Sequence, residues 1–426
     1  MPAAAWLTPP TYDASATSLT AHAEAIGAMM AGRARLWLGP FAPPSALPIG
    51  FEDTALVVPT SGSTGGAKAV ALTREALLAS QHATAALFAG DGTAPDTAGQ
   101  GFWLPLLPPT HIAGVQVIAR AHGTAQQLGL AAPALPDPLP DLRGHFDSAA
   151  FVALAQPALE QAAAAGLPAF TSLVPTQLTR IVTGATGDDV RARALLQRFA
   201  AVLVGGAAIT PDVLARARNQ RIAVRTTYGS SETAGGCVYD RRPLTGVHLE
   251  IDEPVDGEGR LQIASPTLAT GYLGPDGTAI EDGFVERDNT RLLVTSDLAR
   301  LDEGLLTVIG RADDVIVTGG RKVLPQDVER AIDRSLMLRG LVLGSIVVGV
   351  EDPEWGQRLE AVVTISEGVD PAEASALVRS ALRTSEVPAH QIPRRVHVVE
   401  ELPLLGIGKP DRAAAARLAA ARISNA

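Results

Sequence analysis

The sequence predicts an α/β protein: a large N-terminal domain on mostly parallel sheets with a β-rich subdomain, followed by a small α+β domain. Three observations predict it. Short apolar runs alternate with helical stretches as far as about residue 240, the pattern of strands joined through helices. From Gly246 to Gly310, short strands and glycine turns replace long helices. Beyond Gly310 both element types return over a stretch of ordinary domain size, which sets the domains at 1–310 and 311–426.

Residues 1–52 are rich in alanine and proline, with a weak helical stretch near Ala21 to Arg33. Ala55 to Val58 reads as a buried strand. Thr73 is placed as the N-cap of a helix reaching Phe88, with Glu75 where a carboxylate meets the positive end of the helix dipole. Phe102 to Leu107 is the next strand and Ile112 to Ala121 an apolar helical run; residues 131–141 read as a proline-rich surface loop. Phe170 to Val174 is a strand, and Pro175 opens the helix Thr176 to Val182 at the position where a missing N–H costs nothing. Strand Ala200 to Val204 ends in Gly205-Gly206, a helix starts at Thr210-Pro211-Asp212, and Ile222 to Thr226 is a further strand. Leu261 to Ser265, Leu292 to Thr295 and Leu305 to Ile309 form the β-rich part. Helix Gln326 to Ser335, strands Ser345 to Val350 and Ala361 to Ile365, helix Pro371 to Arg383 and strand Arg395 to Val399 complete the chain.

Bulk properties exclude several classes. A formal net charge of −10 over 426 residues argues against a nucleic-acid protein with a broad basic face. Cys237, the single cysteine, excludes an internal disulfide and a multi-cysteine metal centre and fits a reducing, cytoplasmic compartment. No apolar run approaches the ~18 residues of a membrane-spanning helix, so no stable membrane insertion is expected, and Met1 to Pro10 lacks the basic start of a signal peptide. A homodimer is left open.

Chemistry first shows at Thr60-Ser61-Gly62-Ser63-Thr64-Gly65-Gly66-Ala67-Lys68, directly after a strand. Glycines let successive N–H groups face one concavity, hydroxyls add donors, and Lys68 adds charge, which together suit phosphate. The P-loop pattern G-x-x-x-x-G-K-(S/T) fails at two positions, Ala67 and Ala69. Lysine is scarce: of 35 basic residues only Lys68, Lys322 and Lys409 are lysine.

Five stretches in order resemble one superfamily, the adenylate-forming acyl- and aryl-CoA ligases. Thr60 to Lys68 is similar to its phosphate loop, Tyr228-Gly229-Ser230-Ser231-Glu232 to Y-G-x-(S/T)-E, and Thr295-Ser296-Asp297 to T-(G/S)-D. Gly310 to Val323 is similar to G-R-x-D-D-x-I-x-x-G-G-x-x-V, and Gly408-Lys409 to its C-terminal G-K. All three lysines lie inside these motifs. Leu107 to Gln116 and Ser172 to Leu178 resemble the L-P-x-x-H-I-A-G and S-L-V-P-T-Q-L segments of the o-succinylbenzoate–CoA ligase family of menaquinone biosynthesis, and Ser231 to Asp240 looks like its actinobacterial form. Ala67 departs from the proline usual there.

The resemblance implies ATP-dependent ligation of an aromatic carboxylate to CoA through an acyl-adenylate, with Mg²⁺. It implies that Thr60, Ser61, Gly62, Ser63, Thr64, Gly65 and Lys68 hold the β- and γ-phosphates. Gly205, Gly206, Ala207 and Tyr228 would contact adenine, Ser231 the α-phosphate, Asp297 the ribose and Arg311 the ribose or a phosphate, with Gly229 and Ser230 also among the nucleotide-binding residues. Glu232 is the expected Mg²⁺ ligand and Lys409 the catalytic ammonium. Asp313 matches the hinge of a mobile C-terminal domain, and Gly319 and Gly320 would flank the pantetheine of CoA. His111, with a catalytic or pocket role, and Arg120 are candidates near the acyl substrate, Arg120 being equally compatible with exposure to solvent. Cys237 is read as a packing residue. Another aryl- or acyl-CoA ligase, a stand-alone carboxylate-adenylating enzyme and a non-catalytic nucleotide-binding homologue stay open as alternatives; Lys68, Glu232, Asp297 and Lys409 together speak against the last.

Overall fold

The computed structural model describes residues 5–60, 68–280, 282–335, 341–366, 368–385, 387–405 and 410–424. The chain packs as two compact units, one comprising Met1–Glu250, Gln262–Thr295 and Asp302–Leu306, the other Ile251–Leu261, Ser296–Leu301 and Thr307–Ala426.

The first unit begins with β1 (Trp6–Leu7), α1 (Ala16–Met30), β2 (Arg35–Trp37), β3 (Thr54–Pro59), β4 (Ala69–Thr73) and α2 (Arg74–Gly90). The weak helix of the sequence starts early, because the Ser15 hydroxyl caps α1 by accepting from Ser18 N at 3.1 Å. Thr73 caps α2 as expected, accepting from Ala76 N at 3.1 Å. β4 was not expected: the Ser/Gly loop joins an antiparallel pair, β3 and β4, instead of leading straight to a helix. Then come β5 (Phe102–Leu104), α3 (Ile112–Leu128), α4 (Ser148–Ala164), β6 (Ala169–Leu173), α5 (Pro175–Thr183), α6 (Gly187–Leu196), β7 (Ala201–Val204), α7 (Pro211–Asn219), β8 (Val224–Ser230) and β9 (Gly235–Tyr239). The segment 131–141 is not wholly superficial. Ala134 and Leu135 are buried, and Ala134 O accepts from Trp103 N at 2.9 Å, because the backbone of β5 needs a partner on that side.

β5, β6, β7 and β8 are parallel, and β9 closes against β8 in the antiparallel sense. Strand alternation divides the apolar load. Phe102 and Leu104 join Phe151, Leu159 and Phe199 in one core. Trp103, pointing the other way, lies 4.9 Å from the Phe170 ring.

The β-rich stretch runs through β10 (Arg242–Pro243), β11 (His248–Val255), β12 (Glu258–Ala264), β13 (Gly271–Leu273), β14 (Ala279–Ile280), β15 (Phe284–Arg287), β16 (Thr290–Asp302) and β17 (Leu305–Arg311). Three sheets result, ordered β1-β2-β3-β4-β13-β14, β10-β9-β8-β7-β6-β5 and β11-β12-β16-β15, with β17 on β16. Parallel strands, β1–β3 and β5–β8, form one end of each of the first two sheets in agreement with the expected class, and antiparallel strands complete the other end.

The second unit continues as β18 (Ile316–Thr318), β19 (Arg321–Val323), α8 (Pro325–Ser335), β20 (Val342–Asp352), β21 (Gly356–Ile365), α9 (Pro371–Thr384), β22 (Arg395–Val398) and α10 (Arg412–Ser424). Its sheet is β19-β18-β21-β20 with β22 parallel to β21. Val347 and Val363 pack with Val328 and Val378 of α8 and α9, while Ile346, Val348 and Val362 pack with Ala415 and Ala419 of α10. Arg412 fixes the start of α10, pairing with Asp314 at 3.0 Å and Glu329 at 2.6 Å and donating to Val347 O at 2.8 Å. No helix among the described residues is long and apolar enough to cross a membrane.

Asp333 on α8 gives a pH test. Burial, and then the neighbouring Glu329 charge, push its carboxyl from 3.8 to about 6. Below pH ~4 both folded and unfolded chains hold the proton and nothing is lost; between there and pH 6 the unfolded chain ionises first, and above that the penalty is constant. It amounts to about 3 kcal/mol. Asp333→Asn should therefore raise the thermal midpoint at pH 7.5 and leave it unchanged at pH 4. Equal gains at both pH values would contradict the assignment.

Candidate active site

β3 and β4 carry the two feet of the glycine loop, and Thr60 Oγ1 donates to Lys68 O at 3.4 Å across its mouth. Ser61, Gly62, Ser63, Thr64 and Gly65 lie outside the described residues, as does Lys409. Lys68 Nζ sits 4.1 Å from the centre of the Tyr272 ring and pairs with Asp282 at 3.3 Å. Asp282 is 74% exposed, so water screens that pair, whereas the ring face holds the ammonium wherever solvent is excluded. The Tyr272 hydroxyl donates to Glu232 Oε1 at 2.9 Å. Tyr272 thus connects the two charged groups expected at the phosphates, and sequence reasoning missed it. Its place follows from β13 pairing with β4, where Tyr272 is in register with Val70, two residues past Lys68.

Tyr272→Phe keeps the ring under Lys68 and frees Glu232. A single lost hydrogen bond is expected to raise KM for ATP by about fivefold. Tyr272→Leu removes the ring as well and should cost roughly another factor of three to ten. Equal effects of the two substitutions on ATP-dependent pyrophosphate release would deny the ring contact any part.

The 3₁₀ turn Ser231–Thr233 presents Ser231 and Glu232. Thr233 locks it, accepting from Ser230 N at 2.9 Å and donating to Gly235 O at 2.8 Å. Gly205, Gly206 and Ala207 follow β7, while Tyr228, Gly229 and Ser230 close β8, so this part of the candidate set gathers at the carboxyl ends of neighbouring parallel strands. A Cβ on Gly205 would strike the Thr227 hydroxyl, and one on Gly229 the Gly235 carbonyl. Gly206 has φ +84° and open space beside it, and Ala207 is exposed.

Among the described residues no group of three or more His, Cys, Asp or Glu could hold a metal. Glu232 offers a single oxygen: Oε1 is engaged by Tyr272, and Oε2 has no hydrogen bond among the described residues. One carboxylate oxygen is a fitting share for Mg²⁺, which keeps several waters and takes phosphate oxygens instead of a protein cage.

In the second unit Arg311 gathers two other candidates. Its guanidinium pairs with Asp297 at 3.5 Å and Asp313 at 3.0 Å. Burial pulls the Asp313 carboxyl upward, but the Ser296 hydroxyl and Arg311 outweigh it and hold the carboxyl below its usual range. Asp297 lies inside the thirteen-residue β16, well short of its end. Gly319 and Gly320 form the turn between β18 and β19, with φ +54° and +75°. Gly319 N donates to Trp355 O at 2.9 Å, and a Cβ on Gly319 would come within 2.6 Å of the indole.

His111 stands at the N-cap of α3, and Gly114 lets the first turn of that helix press on the Pro108 carbonyl. Arg120 lies nine residues further on, about 13 Å along the axis. The solvent-exposed reading of Arg120 is wrong, since only 7% of it is accessible. Its Nη2 donates to Thr84 Oγ1 and the Tyr239 hydroxyl, each at 3.3 Å, and its guanidinium lies 5.2 Å from the Trp103 ring centre. Arg120 Nε is buried without a hydrogen-bond partner, and no acidic residue pairs with Arg120 among the described residues. Ser80 Oγ, one turn before Thr84, and Gln116 Oε1, one turn before Arg120, are likewise buried and unpaired. Thr84 and Trp103 carried no motif, and Tyr239, within the Ser231–Asp240 stretch, had no role assigned to it; this grouping was not anticipated.

Cys237 is 1% exposed, and burial pushes its thiol up to about 12, which excludes a nucleophile and agrees with packing.

The AMP-binding enzyme family model matches residues 10–273 and its C-terminal domain model residues 332–409. A probable 2-succinylbenzoate–CoA ligase of Mycobacterium tuberculosis is 39% identical over 372 residues, covering 86% of this chain and 85% of that relative. A feruloyl-CoA synthase of Amycolatopsis is 28% identical over 424 residues, covering 91% and 75%. In fold, the chain matches the o-succinylbenzoate CoA synthetase of Bacillus subtilis with its acyl-adenylate intermediate at TM-score 0.65 and 19% identity, over 96% of this chain and 87% of that one. With its two-part match to those models, the chain belongs to the AMP-binding enzyme family and is an AMP-forming acyl-CoA ligase.

Proposed function

We propose that this enzyme ligates 2-succinylbenzoate to CoA, a step of menaquinone biosynthesis, with ATP as the activating substrate. One observation carries the choice of acid: Arg120 is a buried guanidinium with no acidic partner among the described residues and an unpaired Nε. A buried charge of that kind is costly unless a ligand supplies the counter-charge. 2-Succinylbenzoate is a dianion. Its succinyl carboxylate is activated, and its ring carboxylate is the group that Arg120 would receive, with Ser80 and Gln116 beside it.

In the first half-reaction the succinyl carboxylate oxygen attacks the α-phosphorus of ATP and pyrophosphate leaves, giving acyl-AMP. Positioning and charge neutralisation do most of this work. Thr60 to Lys68 hold the leaving phosphates. Mg²⁺, when bound at Glu232 Oε2, supplies further neutralisation of the phosphate charge. Gly205 to Ala207 and Tyr228 receive adenine, Asp297 and Arg311 the ribose, and Lys409 the charge growing between carboxylate and α-phosphate. In the second half-reaction the CoA thiol displaces AMP and releases a proton. Gly319 and Gly320 would flank the pantetheine arm, Gly320 with open space beside it. Residues 1–310 thus bind nucleotide and acid, while 311–426 bring the hinge Asp313 and Lys409.

Pyrophosphate release, measured with and without CoA across a carboxylate panel, tests the reading. 2-Succinylbenzoate should exceed 4-oxo-4-phenylbutanoate, which keeps the succinyl arm and lacks the ring carboxylate, by at least about a hundredfold in kcat/KM. Preference for ferulate, benzoate or a fatty acid would instead assign another acyl substrate.

A further inference from the structure

A second basic feature lies far along the chain, in the second unit. β22, the middle of α9 and the end of α10 line an open surface cavity of about 420 Å³. Its charged lining is entirely basic: Arg379 from α9, Arg394, Arg395 and His397 from β22 and its approach, and Arg422 from α10. One carboxylate beside the lining is already engaged: Glu360 is wholly buried and accepts from His397 Nε2 at 2.9 Å and Arg358 Nε at 2.8 Å. Arg394 is drawn onto the Trp355 ring at 5.2 Å. Arg422 donates one nitrogen to Val398 O at 2.7 Å. Arg395 has no ion pair among the described residues, and Arg379 Nε is buried without a hydrogen-bond partner. Arginines that converge without a carboxylate repel one another, in a chain whose overall charge of −10 offers acids elsewhere. A ligand with more than one negative charge removes that repulsion, and guanidinium forks match phosphate oxygens in pairs.

We infer that this cavity is an anion site separate from the glycine loop, taking a small molecule that carries phosphate groups through Arg379, Arg395 and Arg422. The inference does not depend on which acid the enzyme activates.

The test is calorimetric titration of the full chain with inorganic pyrophosphate in metal-free buffer. Lys68→Met weakens the loop and isolates the second site, so binding should persist in that protein. Adding Arg379→Gln and Arg395→Gln should then weaken it at least tenfold, while the same pair in the otherwise native chain leaves the adenylation rate unchanged. Should the double substitution fail to fold, Arg395→Gln alone, at an exposed position, should still weaken binding several-fold. Binding abolished by Lys68→Met alone, or indifferent to the arginines, overturns the proposal. Competition by adenosine 3′,5′-bisphosphate would assign the phosphates to a nucleotide, and its failure to compete to free diphosphate; either supports the site.

Discussion

Arg120→Met is expected to lower kcat/KM for 2-succinylbenzoate by roughly 10²–10³-fold, the value of a desolvated charge pair lost from one side. With 4-oxo-4-phenylbutanoate, which has no ring carboxylate to place, the same substitution should be neutral or favourable, so the preference between the two acids collapses. Stability should not suffer. Methionine fills much of the volume, the orphan Nε disappears, and the Thr84 and Tyr239 hydroxyls remain 3.3 Å apart, within reach of each other. Replacing a buried charge by an apolar side chain of similar size is often neutral or stabilising, and the thermal midpoint should hold or rise. Equal loss on both acids, or loss accompanied by a lower midpoint, would make Arg120 a structural residue.

Lys409→Ala is expected to slow acyl-adenylate formation by about 10²–10³-fold, the usual cost of removing one donor aimed at developing charge. Thioester formation from supplied acyl-adenylate should stay within a few-fold of the native rate, because no charge then grows on the α-phosphate side. Single-turnover measurements of each half separate the two. Comparable losses in both halves would remove Lys409 from its assigned role and leave it a general determinant of structure.

Those two residues were legible in the sequence for different reasons. Lys409 stands in a motif, and scarcity of lysine drew attention to it. Arg120 was legible only as a residue nine positions beyond a histidine; its burial depends on Trp103, Thr84 and Tyr239, which come from β5, α2 and β9 and share no local pattern. Tyr272 was invisible because it meets Lys68 through the pairing of β13 with β4, a register that no short window contains. Helices α4 and α10 were missed because alanine occupies so many of their positions that the 3.6-residue contrast between faces fades. β4 is short and continuous in apolar character, and merged with the helix after it. Strands β3, β6, β7 and β8, with branched or aromatic runs ended by glycine, proline or hydroxyl residues, were plain.

The unevenness of the two units has a bearing on how the protein is made. The second unit draws on Ile251–Leu261 and Ser296–Leu301 as well as the chain from Thr307 onward. Synthesis runs from the N-terminus at about 5–20 residues per second, so the earliest of these pieces waits roughly 10–30 seconds for α10 to be translated. Through most of that interval those segments already have their sheet partners, since β11, β12, β15, β16 and β17 are all made by Arg311, while β18–β22 and α8–α10 are still to come. A message broken after the codon for Gly310 would therefore leave a paired sheet whose compact unit lacks β18–β22 and α8–α10, and a chain without Lys409.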